Sequence, residues 1–468
     1  MRFSLFRQLL TSLPLALLAS AAQAQSTGEN QTEITQTGAD NIADIDQAGV
    51  LNVAGTEDFP MLQDGFWNQI RISQTGRSNQ IGTEGSGLQQ QGLYSSPTVY
   101  NILSITQNSN GNLVGSVDQR SLGSVPNGAN TLTVEQSGAG GNRISLIIQR
   151  QETGQARQIA VLRQTGSDNL LVQVSQYAST VVQLEPNQIY AEFSGDRNGR
   201  TALTRSAALP TLQDNSLSQE AGSTDSRSNG NDINLLIFGN DNAFGIRQAG
   251  RMNSVGTITI SGNFNEMGLR QDGDENDIMI VSVDGNENNI GIDQLGTNLA
   301  TLNLVGFSSD NEIYLRQQGA NDAFVSVDGD GNLLSAAQDY LGGLGGENTL
   351  DAAIVGDDNA MDIRQFGEND ISLTVTGDDN NTARAFSSAL AGLGLAPGTI
   401  EQAGFDNKIE GTVTGSSNAF AALQLGELNV MSLTISGDDN EALLSQLGNR
   451  NTAVLSQTGS GNSAQIRQ

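Results

Sequence analysis

"NEALLSQLGNRNTAVLSQTGSGNSAQIRQ", Asn440–Gln468, is the stretch whose reading decides the fold. Its asparagines stand eleven apart, at Asn440, Asn451 and Asn462, and its glutamines keep the same step at Gln446, Gln457 and Gln468. Within the first unit Ala442, Leu444 and Gln446 share one face, while Glu441, Leu443 and Ser445 point the other way. A period of two belongs to a strand with one buried face, not to a helix. Each strand is followed by x-Gly-x-x, with Gly448 and Gly459 in step. Glycine accepts the positive φ of a tight turn, and Asn or Asp there bonds back to the backbone. Eleven residues therefore make one strand and one turn, and two such units make a coil.

The step continues outward. Asn429, Asn418 and Asn407 extend it backwards, Asn231, Asn242 and Asn253 repeat it mid-chain, and Asn30, Asn41 and Asn52 carry it near the start. The unit from Asn359 turns Met361, Ile363 and Gln365 inward. A longer period overlies the short one: Gln248, Gln271, Gln294 and Gln317 are spaced by 23, and Gln402, Gln424, Gln446 and Gln468 by 22. Between them the same place is aliphatic, at Leu304, Val375, Val413 and Ile435. The expectation is an all-β fold of stacked strand-turn-strand coils, about 22 residues per coil, in which like residues lie above one another. Stacking also gives buried amides a purpose. Alone, such a group costs about 1–3 kcal/mol; repeated every ~4.8 Å, identical amides donate and accept from coil to coil.

Before the array, Arg2 and Arg7 precede an apolar run from Leu9 to Leu18 that closes on "AQA", Ala22–Ala24. Residues 1–24 read as a secretory signal peptide, because the apolar run is too short to span a bilayer and Pro14 interrupts it. Residues 25–468 read as one repeat array, with irregular loops near 55–66, 119–128, 177–222, 335–347 and 387–398, of which 177–222 keeps one regular unit, Asn187 to Asn198. These are expected as turns or covering segments, and Trp67 as packing beside such a loop.

Composition excludes whole classes of chemistry. With no cysteine and no histidine there is no disulfide, no Cys/His metal site and no Ser-His or Cys-His nucleophile. The formal charge is −29, and −31 once Arg2 and Arg7 leave with the signal peptide, which argues against nucleic acid as a partner. No later run is long and apolar enough for a spanning helix. Carboxylate chemistry stays open in principle, yet no Asp or Glu stands out from the turn pattern as a general acid would. The reading is non-enzymatic.

Gln36-x4-Asn41-x5-Gln47-x4-Asn52 and Gln446-x4-Asn451-x5-Gln457-x4-Asn462-x5-Gln468, each with Gly two places after Gln in a full unit, resemble the curlin repeat. That is the repeat of curli subunits, the functional amyloid fibres of bacterial surfaces. Gln74/Asn79, Gln107/Asn112, Gln164/Asn169, Gln248/Asn253 and Gln271/Asn276 repeat the step. The resemblance implies a curlin-like β-solenoid, export across the outer membrane by dedicated machinery, self-association with its own or related subunits, and work in adhesion and biofilm matrix. It makes Asn41, Gln47, Asn52, Gln248, Asn253, Gln271, Asn276, Gln446, Asn451, Gln457, Asn462 and Gln468 ladder residues.

Turns reading "GDDN" raise a second question. Asp357, Asp358, Asp378, Asp379, Asp438 and Asp439 are the residue type that calcium selects, although solvated turn residues account for them more simply. No cofactor is expected otherwise. The sequence leaves two readings: an extracellular fibre component or nucleator, or a self-contained secreted solenoid that binds calcium, a glycan or a surface along its faces.

Overall fold

The computed structural model describes residues 29–93, 100–122, 129–152, 157–178, 186–203, 214–221, 230–304, 308–318, 321–339, 348–387, 390 and 394–468. The signal peptide expected at 1–24 lies outside them. Strand pairing among the described residues is parallel throughout, and no helix occurs. The chain forms two compact units, one of residues 1–198 with 217–230 and the other of residues 199–216 with 231–468. Each is described by itself.

In the second unit the alternation seen at Asn440 becomes two facing sheets. Ala419–Glu427, Glu441–Leu447 and Ser463–Arg467 pair side by side in one. Val430–Ser436 and Thr452–Thr458 pair in the other. Successive strands thus alternate between sheets, and every strand bonds to the strands one coil before and after it. The inner faces meet in a core of Ala422, Leu444, Met431, Leu433 and Ile435, all at most 2% exposed. A buried aliphatic of this kind contributes about 1.5–3 kcal/mol.

The first unit has the same β-solenoid architecture. Leu113–Ser121, Arg143–Gln151 and Leu170–Ala178 stack in one sheet, with Val117, Ile147 and Val174 in register. Tyr100–Gln107, Ala129–Gln136, Arg157–Gln164 and Asn187–Phe193 stack in the other. Its coils are longer than the expected 22 residues. Stacked glutamines are 27 residues apart at Gln63/Gln90, 30 at Gln119/Gln149 and 33 at Gln74/Gln107. The extra residues sit in the turns and leave the strands in register.

The irregular segments need correcting in the same sense. Of residues 55–66, Met61–Phe66 is a strand with Gln63 turned inward, paired to Ile34–Ala39. Residues 119–121 finish the strand Leu113–Ser121, while 123–128 lie outside the described residues. Within 177–222 the regular unit that begins at Asn187 forms the strand Asn187–Phe193, and Ser216–Ala221 is a strand besides; within 335–347 the strand Leu333–Asp339 reaches Asp339. These strands keep the inward period of two; those outside that unit lack the regular turn, which is why they look irregular in one dimension.

Of residues 387–398, Leu390 and Leu395 cover a sheet together with the preceding Phe386, while 388–389 and 391–393 lie outside the described residues. Phe386 and Leu390 pack on the outside of a sheet against Ala419, Ala421 and Leu443, with Leu395 beside them. Arg384 reaches Asp439, donating to its carbonyl at 2.9 Å and its carboxylate at 3.2 Å, and the Ser387 N–H donates to Glu441. Leu443, the apolar exception on the outward face, is buried because this strap lies over it.

Candidate functional site: amide ladders and turns

The inward glutamines form continuous files. Gln402 Nε2 donates to Gln424 Oε1 at 2.8 Å, Gln424 to Gln446 at 2.8 Å, and Gln446 to Gln468 at 2.9 Å. The second amide hydrogen crosses to the facing sheet: Gln424 donates to the Lys408 carbonyl, Gln446 to that of Val430 and Gln468 to that of Thr452. One side chain therefore ties a coil to the next and one sheet to the other.

Asparagines run the opposite way. Asn440 Nδ2 donates back to Asn418 Oδ1 at 3.1 Å and forward to the Gly459 carbonyl at 2.9 Å, while its Oδ1 receives both the backbone N–H and the Nδ2 of Asn462. Asparagine thus closes the turn's own backbone as well as the file. Two positive-φ positions shape that turn. Gly437 has φ 120°, and the residue before the asparagine of a GDDN turn is also left-handed, at Asp358, Asp379 and Asp439 (φ 55–58°). A Cβ on Gly426 would collide with the carbonyl oxygen of Gly448 in the next coil, so close stacking as well as φ selects glycine.

Most residues marked from the sequence take these places. Asn41 accepts from the backbone and side chain of Asn68. Gln47 donates to Gln74 at 2.8 Å, and the Oδ1 of Asn52 receives the N–H of Asn79. Gln248 donates to Gln271 and Gln271 to Gln294, and Asn276 donates to Asn253. The Asn451 N–H donates to Asn429. Gln457 differs. Its register neighbour is Ile435, and its Oε1 is buried with no hydrogen-bond partner, while Nε2 donates to the Glu441 carbonyl. Ladder members missed by the sequence reading include Gln90, Gln149, Gln176 and Gln219, which have no asparagine five residues on to flag them.

A third ladder runs outside, along the turns. The backbone N–H of Asp330 donates to the Asp357 carboxylate at 2.8 Å, that of Asp357 to Asp378 at 3.0 Å, that of Asp378 to Ser416 Oγ, that of Ser416 to Asp438, and that of Asp438 to Ser460 Oγ. The first acid of each "GDDN" is thus occupied with an amide of the preceding coil, and the second holds the left-handed turn position. Among the described residues no group of three or more acidic side chains is arranged to hold a metal. Elsewhere along the turns, hydrogen bonds from the Ser167 hydroxyl and N–H hold the Asp196 carboxyl below its ordinary range. Arg251 does the same for Asp274. On an outward sheet face Asp293 stands in register between Arg270 and Arg316, and its burial pushes the carboxyl up despite both cations.

Identical inward amides in file, one strand and one turn per eleven residues, are what the C-terminal stretch was expected to build. Residues 437–468 match the curlin associated repeat. The curlin repeat therefore covers the coil in which Gln446, Asn451, Asn462 and Gln468 lie. No curated protein matches the chain.

Proposed function

We propose that this chain is an exported, non-catalytic structural protein that assembles by stacking its coils on those of other copies or related curlin-like subunits. It acts as a component or nucleator of extracellular curli-like fibres, in adhesion and matrix, and needs no cofactor. One observation carries the reading: the amide files are indifferent to chain connectivity. Gln402 reaches Gln424 at 2.8 Å across 22 residues, Gln365 reaches Gln402 at 3.1 Å across 37, and Gln176 reaches Gln219 at 2.9 Å across 43. A bond that ignores how its partner is tethered is equally available to a coil of another molecule. The parallel edges of such coils are the template on which cross-β assembly proceeds.

The test is a concentration series of purified residues 25–468 with thioflavin fluorescence, electron microscopy and fibre diffraction, with and without seeds, calcium or chelator. Seedable fibres with reflections near ~4.8 and ~10 Å, unaffected by chelator, are expected. A β-rich chain that stays monomeric at every concentration would sink the fibre role and favour a self-contained solenoid. Mass spectrometry of exported protein should find Gln25 at the N-terminus.

A further inference from the structure

We infer that one outward sheet face of the second unit is a lateral docking surface for a second copy of this chain. The proposal takes self-association as this chain's work but concerns a different contact from axial stacking.

The outward side chains of Val430–Ser436 and Thr452–Thr458 are valine, serine and threonine only, and all but Ser432 are exposed. Val430 is 40% and Val454 68% exposed. The hydroxyl files extend two coils further back. Thr376 pairs in register with Thr414, Thr414 with Ser436, and Ser436 with Thr458. Where charge first enters this face it is internally paired, Lys408 to Glu410 at 2.8 Å.

Charge decides the occupant. Copies of residues 25–468 carry −31 each and repel, so they approach most closely where neither presents a charge. A basic partner would instead be drawn to the turns bearing Asp357, Asp378 and Asp438. The opposite outward face is partly covered by the chain's own residues, Phe386 and Leu390 lying on Ala419 and Leu443, and where it is open it presents the charged Arg467. That leaves the valine and hydroxyl face open to another copy.

Area sets the strength. Seven-residue strands span about 24 Å and the two charge-free coils about 10 Å. One face therefore offers about 240 Å², and a pair buries about 480 Å² in total, well short of the ~1,200–2,000 Å² of stable interfaces. Lateral pairing between single copies is weak, and it strengthens as axial stacking multiplies the patch.

The chain has no cysteine, so one introduced thiol reports one contact. A thiol disulfide-links to its own counterpart only across a two-fold contact; axial stacking keeps identical residues a whole copy apart. Thr434→Cys and, as control, Arg364→Cys on the other sheet are oxidised mildly in the full chain and scored on non-reducing gels. Thr434→Cys dimers forming at least about tenfold faster than control dimers is the expected result, the contact raising the local thiol concentration. Equal rates overturn the proposal. Fibres that grow while Thr434→Cys links no faster than control refute the lateral face alone. Linking without fibres supports it and removes the axial reading. Val454→Lys gives a second readout: unchanged thioflavin growth with bundles resolved into single filaments supports the face, and persistent bundles count against it.

Discussion

At the scale of a residue, asparagine and glutamine do different work with equal numbers of bonds. The Asn418 side chain donates to Asn380 and receives the N–H and Nδ2 of Asn440. That of Gln424 receives one bond and donates two. Stranding a buried partner costs about 1–3 kcal/mol. Asn418→Ala and Gln424→Ala should therefore each lose about 3 kcal/mol in denaturant unfolding; a loss well under about 1 kcal/mol in either would refute its place in a file. Acid acts on other residues. Asp196 and Asp274 have folded pKa values below their unfolded ones, so their contribution is whole above the ordinary aspartate range, about 3.9, and is lost as pH falls through the lower folded values. Unfolding midpoints measured from pH 6 down to pH 2 should drop less steeply in Asp196→Asn/Asp274→Asn than in the parent chain. The inward amides were legible in the sequence because each stands in step with its neighbours. The turn acceptors Asp357, Asp378 and Asp438 were visible as residues but not as a ladder, since their hydrogen bonds go to backbone, which sequence spacing does not display.

At the scale of an element, strands were legible wherever a regular turn framed them. Met61–Phe66, Ser216–Ala221 and Leu333–Asp339 carry the inward period yet read as loops, because six or seven residues of alternation without an adjoining regular turn do not distinguish a strand from chance. The reach of the strap was hidden for another reason: its contacts with Asp439 and Glu441 lie more than fifty residues away. Phe386→Ser/Leu390→Ser should detach it. Limited proteolysis is then expected to cut between residues 381 and 398 many times faster, while the β-sheet circular dichroism is kept. Unchanged cleavage would mean that Arg384 and the backbone, not the apolar seat, hold the strap down.

At the scale of the whole molecule, the charge of −29 restrains assembly that the ladders favour. Raising ionic strength from 0.01 to 0.15 M shortens the screening length from about 30 to about 8 Å, so the lag before fibre growth should shorten. A lag that lengthens with salt would show attraction between charges, not repulsion, to be guiding association. The turn geometry has one more effect, on how long the material lasts. Asparagine ages when the backbone nitrogen of the next residue attacks its side-chain carbonyl and ammonia is lost. In the folded coils that nitrogen is engaged: Ala419 N–H donates to the Asn440 carbonyl, Val430 N–H to Asn451 and Glu441 N–H to Asn462, while the Asn418 and Asn440 side-chain amides are held in file. Ring closure would have to break both sets of bonds, so an asparagine-rich chain keeps its amides for as long as it stays folded.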